Sequence, residues 1–232
     1  MMGRTTRQAT HHREHGGFAL VPGQRGGRLE QYLARFASLS AFVLRNLWCG
    51  RRIRPFPTFL YGGARVGPLS RDDIRHVERL YASLNGGSPL DLRKKAALWL
   101  HAPRLGIGVR DAATGELTGM SLYYFNARDR KEGTVHEGYI GLHASLRGAG
   151  LGTVVRRHAL RQFAFAGLRG VSSRISLANT ASLNGNLKLG FVPVETYFDS
   201  SMGEQRHYLV CDLQPYRPYR LCAGDEQERM KS

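Results

Sequence analysis

The first long hydrophobic pattern in the chain is helical and covers residues 29–48. Apolar side chains recur there at 3.6-residue spacing, which places them on one face of an amphipathic helix. They are Leu29, Tyr32, Leu33, Phe36, Leu39, Val43, Leu44 and Leu47. Residues 1–27, which lack this periodicity, are predicted to be a flexible basic arm. Pro55 and Pro57 favour a stiff linker at the end of the segment 28–57.

From residue 58 the pattern changes to short strands alternating with helices. A helix is predicted from Ser70, with Asp72 and Asp73 in its first turn, and it ends near Leu84. Residues 128–133 are predicted to be a charged loop. The other predicted helices cover residues 88–100, 153–166 and 180–189. The predicted strands are 59–66, 105–111, 117–126, 134–144, 171–177, 192–198 and 205–213. The pattern therefore predicts one α+β domain with a mixed sheet over residues 58–214, followed by a polar tail, 215–232.

The composition is that of a folded cytoplasmic protein. Of the 232 residues, 42% are hydrophobic, which is enough for a substantial core. Cys49, Cys211 and Cys222 have neither zinc-ligand spacing nor the even count of a disulfide framework, so we expect no metal site and a reducing compartment. The sequence has no apolar run long enough to span a membrane and no signal-peptide pattern.

The positive charge is unevenly distributed. The formal net charge is +16, and residues 1–65 hold eleven arginines and two glutamates, a balance of +9. Such an excess favours acidic partners, including nucleic acid, anionic lipid, an acidic carrier protein or phosphorylated substrates. It also fits a simpler role in solubility. For residues 28–54, docking on the rest of the chain, contact with a second copy and contact with a membrane surface all remain open.

One loop has the composition of an anion-binding site. The strand at 134–144 leads into a glycine-rich segment, after which a helix begins; its residues are Arg147, Gly148, Ala149, Gly150, Leu151, Gly152 and Thr153. Glycines before a helix let the backbone approach a ligand, and the first amides of the helix attract a pyrophosphate. The spacing lacks the lysine of a triphosphate loop, and its place after a three-strand meander differs from that of a dinucleotide fold.

The motif Arg147-x-x-Gly150-x-Gly152 resembles the signature of the GNAT acyltransferase superfamily. Segments on both sides look like the same family over about residues 59–213, namely 66–73, 115–121, Asn179-x-x-Ser182 and 188–191. The resemblance implies a central sheet of six to seven strands flanked by about four helices. It also implies an N-acyltransferase whose most favoured donor is acetyl-CoA.

The resemblance also implies where the donor binds. In the family the fourth and fifth strands splay apart, and the pantetheine arm of coenzyme A pairs with strand backbone between them. Leu142 and His143 would make those contacts, and residues 147–153 would hold the phosphates. Along the other side of the arm would lie Asn179, Ser182 and Asn186.

Three side chains are candidates for proton transfer. Strand alternation predicts that Glu137, Tyr139 and His143 project to one face, and Glu137 matches the position where many family members keep a carboxylate base. His143 is an alternative base, and a purely structural role for either residue remains open. Many relatives carry a tyrosine that protonates the leaving thiolate where this chain has Asn186. Tyr139 and Tyr197 are the candidate substitutes.

The acceptor is less constrained than the donor. The leading hypothesis is direct acylation of a primary amine on a small molecule such as an amino sugar, amino acid or polyamine. Alternatives are acylation of a protein N-terminus, a lysine or a tRNA-linked substrate, transfer of a longer acyl chain from a carrier protein, and a non-enzymatic binding module. Acceptor-binding loops share no common code, so fold-level kinship does not choose among them.

Overall fold

The structure is a computed structural model that describes residues 24–146 and 148–217. Its helices are α1 (Gln24–Gly50), α2 (Ile74–Leu84), α3 (Leu92–Leu105), α4 (Ala127–Glu132), α5 (Leu151–Phe165) and α6 (Thr180–Leu187). Its strands are β1 (Phe59–Tyr61), β2 (Ala64–Pro68), β3 (Gly106–Asp111), β4 (Leu117–Tyr124), β5 (Thr134–Leu142), β6 (Gly170–Ser176), β7 (Phe191–Asp199) and β8 (Glu204–Asp212). None of the helices in these two ranges has the length and apolar character needed to cross a bilayer.

The chain divides into two compact units, Met1–Ala37 and Ser38–Ser232. In the first unit the described residues form the beginning of α1. The second unit contains the end of α1, every strand and the other five helices of the described ranges.

All eight strands form one sheet in the order β1-β2-β3-β4-β5-β6-β8-β7. The pair β5–β6 is parallel and the other pairs are antiparallel, which confirms the predicted mixed sheet and α+β class. The count is eight because the single strand predicted over 59–66 is a hairpin. Gly62 and Gly63 form its turn with φ of 53° and 77°, a left-handed conformation that glycine adopts readily.

The end of α1 belongs to the core of the second unit. Phe42 and Asn46 are fully buried, and the Asn46 side chain accepts a hydrogen bond from the Phe125 amide and donates one to its carbonyl. Ile53 and Phe56, in the segment predicted to be a linker, are also buried in the core. By contrast, Leu44, Leu47 and Trp48 are exposed on α1. Contact of this helix with a second copy or a membrane therefore stays a prediction from the sequence.

Each face of the sheet carries its own hydrophobic core. Helix α5 packs its apolar face, Val155, Ala159 and Phe163, against the buried side chains of one face. Helices α2 and α3 cover the other face. The residues that they bury there are Val77, Leu98 and Ala102. The sheet is therefore enclosed in its centre, where polar side chains need partners.

Helix α2 begins at Ile74 rather than at the predicted Ser70. The Asp73 carboxylate accepts hydrogen bonds from the Ser70 amide at 2.8 Å and from its hydroxyl at 3.0 Å, and it pairs with Arg110 at 2.7 Å. These contacts hold the preceding turn and leave no acidic residue in the first turn of the helix. Burial raises the pKa of Asp73, but the hydrogen bonds from Ser70 and Arg110 outweigh it, so its pKa lies below the ordinary value.

Residues 128–133, predicted to be a loop, include most of α4. The Asn126 and Asp129 side chains form a reciprocal capping box at its start, and Gly133 ends it with φ of 72°. Helix α3 begins at Leu92 rather than near residue 88, and it continues past residue 100 through a kink at His101.

Candidate functional site

The glycine-rich loop is open to solvent, and two of its glycines have a left-handed backbone conformation. Gly148 and Gly150 have φ of 84° and 74°, and Gly150 caps the N-terminus of α5. Residues 148–150 are exposed. Within the described part of the chain, the amide groups of residues 148–152 find no hydrogen-bond acceptor. This arrangement fits a pyrophosphate, because several amides and the positive end of a 15-residue helix are available together.

A side chain at two of these glycines would stand in open space. A Cβ atom built on Gly148 or Gly150 meets no protein atom within 4 Å. No described protein atom therefore blocks the approach of a ligand to the backbone at these two positions. Arg147, predicted to add a charge here, lies outside the described residues.

The central strands separate next to this loop. β5 and β6 pair from Thr134↔Gly170 to Glu137↔Ser173. Beyond that point β5 stays paired with β4 as far as Leu142, while β6 stays paired with β8 as far as Ser176. The two central strands thus follow different neighbours and open the gap that the resemblance implied for the pantetheine arm.

Both backbone groups of His143, predicted to contact the pantetheine arm, already form hydrogen bonds. The His143 amide donates to the Thr118 carbonyl at 2.8 Å, and its carbonyl accepts from the Leu146 amide at 3.0 Å. Its exposed imidazole pairs with the Ser145 hydroxyl at 2.9 Å. Leu142 lies at the end of β5 and packs against the core under α5.

The three polar residues predicted on α6 have different surroundings. Asn179 is exposed and caps the helix by accepting from the Ser182 amide at 3.1 Å. The Ser182 hydroxyl is partly exposed and accepts from Arg156 at 3.2 Å. Asn186 is fully buried and donates to the Ser182 carbonyl at 2.9 Å, so its side chain does not reach the surface along which the arm was predicted to lie.

Glu137 forms a buried ion pair. Its two carboxylate oxygens lie 3.0 and 3.2 Å from Nε of Arg156 on α5, and the Ser173 hydroxyl is 3.4 Å away. The side chains of Glu137 and Arg156 are 3% and 8% exposed. The carboxylate that matches the family's base position is therefore already held by a cation.

A β-bulge at Gly138 corrects the prediction that Glu137 and Tyr139 share a face. Glu137 pairs with Tyr123 of β4 and Tyr139 pairs with the neighbouring Leu122. Gly138 is therefore an extra residue in β5 that has no partner position on β4. Glu137 consequently faces α5, whereas the Tyr139 ring packs 4.6 Å from Tyr81 on α2 and its hydroxyl accepts from Asn85 at 2.8 Å. Only glycine fits at position 138, because a Cβ atom there would lie 2.1 Å from the Tyr124 ring.

A cavity of about 590 Å³ lies where the strands separate. It brings together four of the predicted residues, Glu137, Tyr139, Asn179 and Ser182, but not His143, Asn186 or the glycine-rich loop. Helices α2 and α3 and the connection between β7 and β8 also contribute to its wall. Tyr197, the other substitute acid, does not line it, and its buried hydroxyl has no partner among the described residues.

Reasoning from the sequence missed Arg156 and a polar group formed by Asp129, His136 and Ser172. Arg156 lies on α5 one residue after the buried Val155. His136 lines the cavity, and its Nδ1 lies 2.8 Å from the Ser172 hydroxyl, which lies 2.6 Å from Asp129. The available signal was the presence of polar residues at 136 and 172, inside predicted strands.

Solved structures with this fold share little sequence with the chain. The NatC complex bound to Gag peptide and CoA matches with a TM-score of 0.57 and 14% identity over 64% of this chain and 98% of that one. The ribosomal-protein-S18-alanine N-acetyltransferase of Escherichia coli matches with a TM-score of 0.53 and 13% identity, over 68% of this chain and 98% of that one. The spermidine/spermine N-acetyltransferase SpeG of Vibrio cholerae matches with a TM-score of 0.51 and 16% identity, over 67% of this chain and 97% of that one. At these identities the likeness shows the fold.

The search of curated proteins gave no match. A sequence model of the acetyltransferase (GNAT) family matches residues 73–191, just over half of the chain. That range runs from the start of α2 to the start of β7 and contains the glycine-rich loop, the separated strands and α6. The chain therefore belongs to the GNAT family of acetyltransferases, enzymes whose acyl donor is acetyl-CoA.

Proposed function

We propose that this protein transfers an acetyl group from acetyl-CoA directly to the primary amine of a small molecule. The observation that carries the proposal is the cavity at the separated strands. Its volume of about 590 Å³ suits a small ligand, and its wall is strongly polar. Four carboxylates line it, Asp91, Glu137, Asp199 and Glu204. Each forms an ion pair with Lys94, Arg156 or Arg206 of the same wall, so the cavity offers charges of both signs to a small polar substrate such as an amine.

The donor side would be held by the backbone. The amides of residues 148–152 and the N-terminus of α5 would bind the diphosphate, and the gap between β5 and β6 would receive the pantetheine arm. Bound acetyl-CoA supplies an activated thioester carbonyl to the cavity. The chain then has to position the amine, keep it unprotonated and accept its proton.

The two cysteines among the described residues, Cys49 and Cys211, favour direct transfer over a covalent acyl-enzyme. Burial raises the pKa of Cys211 to about 12 and also raises that of Cys49. A thiol is a weak nucleophile until it ionises, and neither residue lines the cavity. Both therefore lack the activation that a ping-pong mechanism requires.

The experiment is a thiol-release screen. Purified protein and acetyl-CoA are mixed with panels of amino sugars, amino acids and polyamines, and free coenzyme A is measured with a thiol reagent. We expect release that depends on one class of amine, with the acetylated product visible by mass spectrometry. Release that is equal with and without every amine would refute the proposal of a small-molecule acceptor.

A macromolecular acceptor is the second candidate, favoured by the concentration of arginine in residues 1–65. Lysine and arginine bind phosphate backbones in a strongly salt-dependent way. Co-purification with RNA that disappears in high salt, together with acetylation of an aminoacylated tRNA, would favour this candidate. Acetylation of short peptides at their N-terminus would favour a protein acceptor instead.

A further inference from the structure

Three buried polar side chains, Asp129 of α4, Ser172 of β6 and His136 of β5, form a hydrogen-bonded chain that ends at the cavity. The Ser172 hydroxyl lies 2.6 Å from Oδ1 of Asp129, and Nδ1 of His136 lies 2.8 Å from the same hydroxyl. Asp129 and Ser172 are fully buried, and His136 is 3% exposed. Of the three, His136 lines the cavity.

The hydrogen positions follow from counting donors. The Asp129 carboxylate accepts from the Thr134 hydroxyl at 2.8 Å, from the Asn126 amide at 3.0 Å and from the Tyr208 hydroxyl at 3.4 Å, as well as from Ser172. Because a serine hydroxyl has a single hydrogen, Ser172 donates it to Asp129 and must accept from His136. His136 therefore carries its hydrogen on Nδ1, and the lone pair is on Nε2.

The other ring nitrogen, Nε2, has no hydrogen-bond partner in the described part of the chain. Within the described ranges no donor or acceptor lies against Nε2 of His136. The titratable and charged groups that face the ring are Lys94 of α3, Tyr124 of β4, Asp129 of α4, Arg174 of β6, and Arg206 and Tyr208 of β8. Burial is the main cause that lowers the pKa of His136, and the nearby cations lower it further, whereas the Asp129 carboxylate raises it. The resulting pKa is about 4, so the ring is neutral at neutral pH.

The side chain at the family's base position is engaged, whereas this one is not. Glu137 lies in its ion pair with Arg156. His136 lies one residue earlier on β5, and the lone pair of its Nε2 has no hydrogen-bond partner among the described residues. Both line the same cavity, so the two side chains are direct competitors for one role.

We propose that His136 is the proton acceptor of the acetyl transfer and that Ser172 and Asp129 are positioning residues that fix its tautomer. This rests on the proposed function. The neutral amine donates a hydrogen bond to Nε2, and its proton passes to Nε2 as nitrogen bonds to the acyl carbon. The carbon–sulfur bond then breaks, the thiolate leaves, and the imidazolium returns the proton to sulfur. During this step the Nδ1–H bond to Ser172 keeps the ring in place.

The kinetic test compares His136→Gln with His207→Gln. Glutamine keeps a hydrogen-bonding group but cannot take a proton. His207 is a matched control on β8, with a hydroxyl partner, Thr196, at 2.8 Å and no place in the cavity wall. With acetyl-CoA and the amine found by the screen, we expect His136→Gln to lower kcat about 100-fold or more, with acetyl-CoA affinity unchanged. His207→Gln should retain wild-type kcat.

The positioning role has its own readout. Ser172→Ala should lower kcat about ten-fold, and Ser172→Thr, which keeps the hydroxyl, should restore it. Nitrogen-15 NMR of the imidazole groups in the full chain should show the Nδ1–H tautomer of His136 at pH 7, and Ser172→Ala should shift its population towards Nε2–H. A purely structural role of Ser172 would leave that population unchanged.

The outcomes separate this proposal from the proposed function. Wild-type protein that fails to bind acetyl-CoA by calorimetry would overturn the proposed function and this inference with it. Binding with undiminished turnover in His136→Gln would overturn the inference alone, as would an Nε2–H tautomer in the wild type. If His136→Gln does not fold, the tautomer measurement on the wild type still decides.

Discussion

Replacing Gly150 by valine tests whether the loop before α5 holds the donor. Gly150 has φ of 74°, and a Cβ there meets no protein atom. The cost to folding is therefore conformational only, about 1–2 kcal/mol for a left-handed residue with a side chain. For a chain of this size that corresponds to a fall in Tm of about 2–8 °C. Gly167, at the other end of α5, has φ of 80° and equally open surroundings, so Gly167→Val should show the same fall.

Donor binding should distinguish the two variants. The valine side chain at 150 would occupy the space beside the amides that have no acceptor in the described chain. Hydrogen bonds to a charged group contribute about 1.5–3 kcal/mol each, so losing two of them raises Kd by about 100-fold or more. Calorimetric titration with coenzyme A measures this. Equal affinities of Gly150→Val and Gly167→Val would refute the assignment of the loop.

Three further predictions concern stability. Arg156→Met leaves the buried Glu137 carboxylate without its cation and should lower the free energy of unfolding by about 3–5 kcal/mol. The double variant Arg156→Met/Glu137→Gln should regain part of that loss, and urea denaturation measures both. Asp73→Asn should destabilise at neutral pH. Because the folded-state pKa of Asp73 is lowered, its contribution is present above the ordinary value of 3.8 and is lost as pH falls below it, so melting curves of wild type and variant should converge in acid. Phe42→Ala should cost about 3–5 kcal/mol because the ring is buried, and Leu44→Ala, on the exposed side of the same helix, should change the unfolding free energy by less than about 0.5 kcal/mol.

Most of the fold was predictable because its signals are local. Apolar residues at 3.6-residue spacing predicted α1 and α5, and short apolar runs between turns predicted seven of the strand regions. The errors have local causes as well. The Gly62-Gly63 turn that divides β1 from β2 and the Asn126–Asp129 capping box of α4 are both visible in the sequence, but neither is among the predicted elements.

The donor side of the candidate site was largely predictable and the acceptor side was not. A glycine-rich loop before a helix is contiguous in sequence, so the order of residues alone places Gly148 and Gly150 beside the start of α5. The cavity wall comes instead from segments separated by more than a hundred residues. No periodicity relates such positions to one another.

The sequence by itself determined the loop, the order of strands and helices around it, and through them the family. Only the tertiary structure decided which side chains face the cavity and what state they are in. A single bulge at Gly138 turns Tyr139 away from Glu137, and parallel pairing of β5 with β6 brings Ser172 within hydrogen-bonding distance of His136. Local conformation follows from short-range sterics and hydrogen bonds, whereas the protonation and availability of a side chain depend on partners that only folding brings into contact.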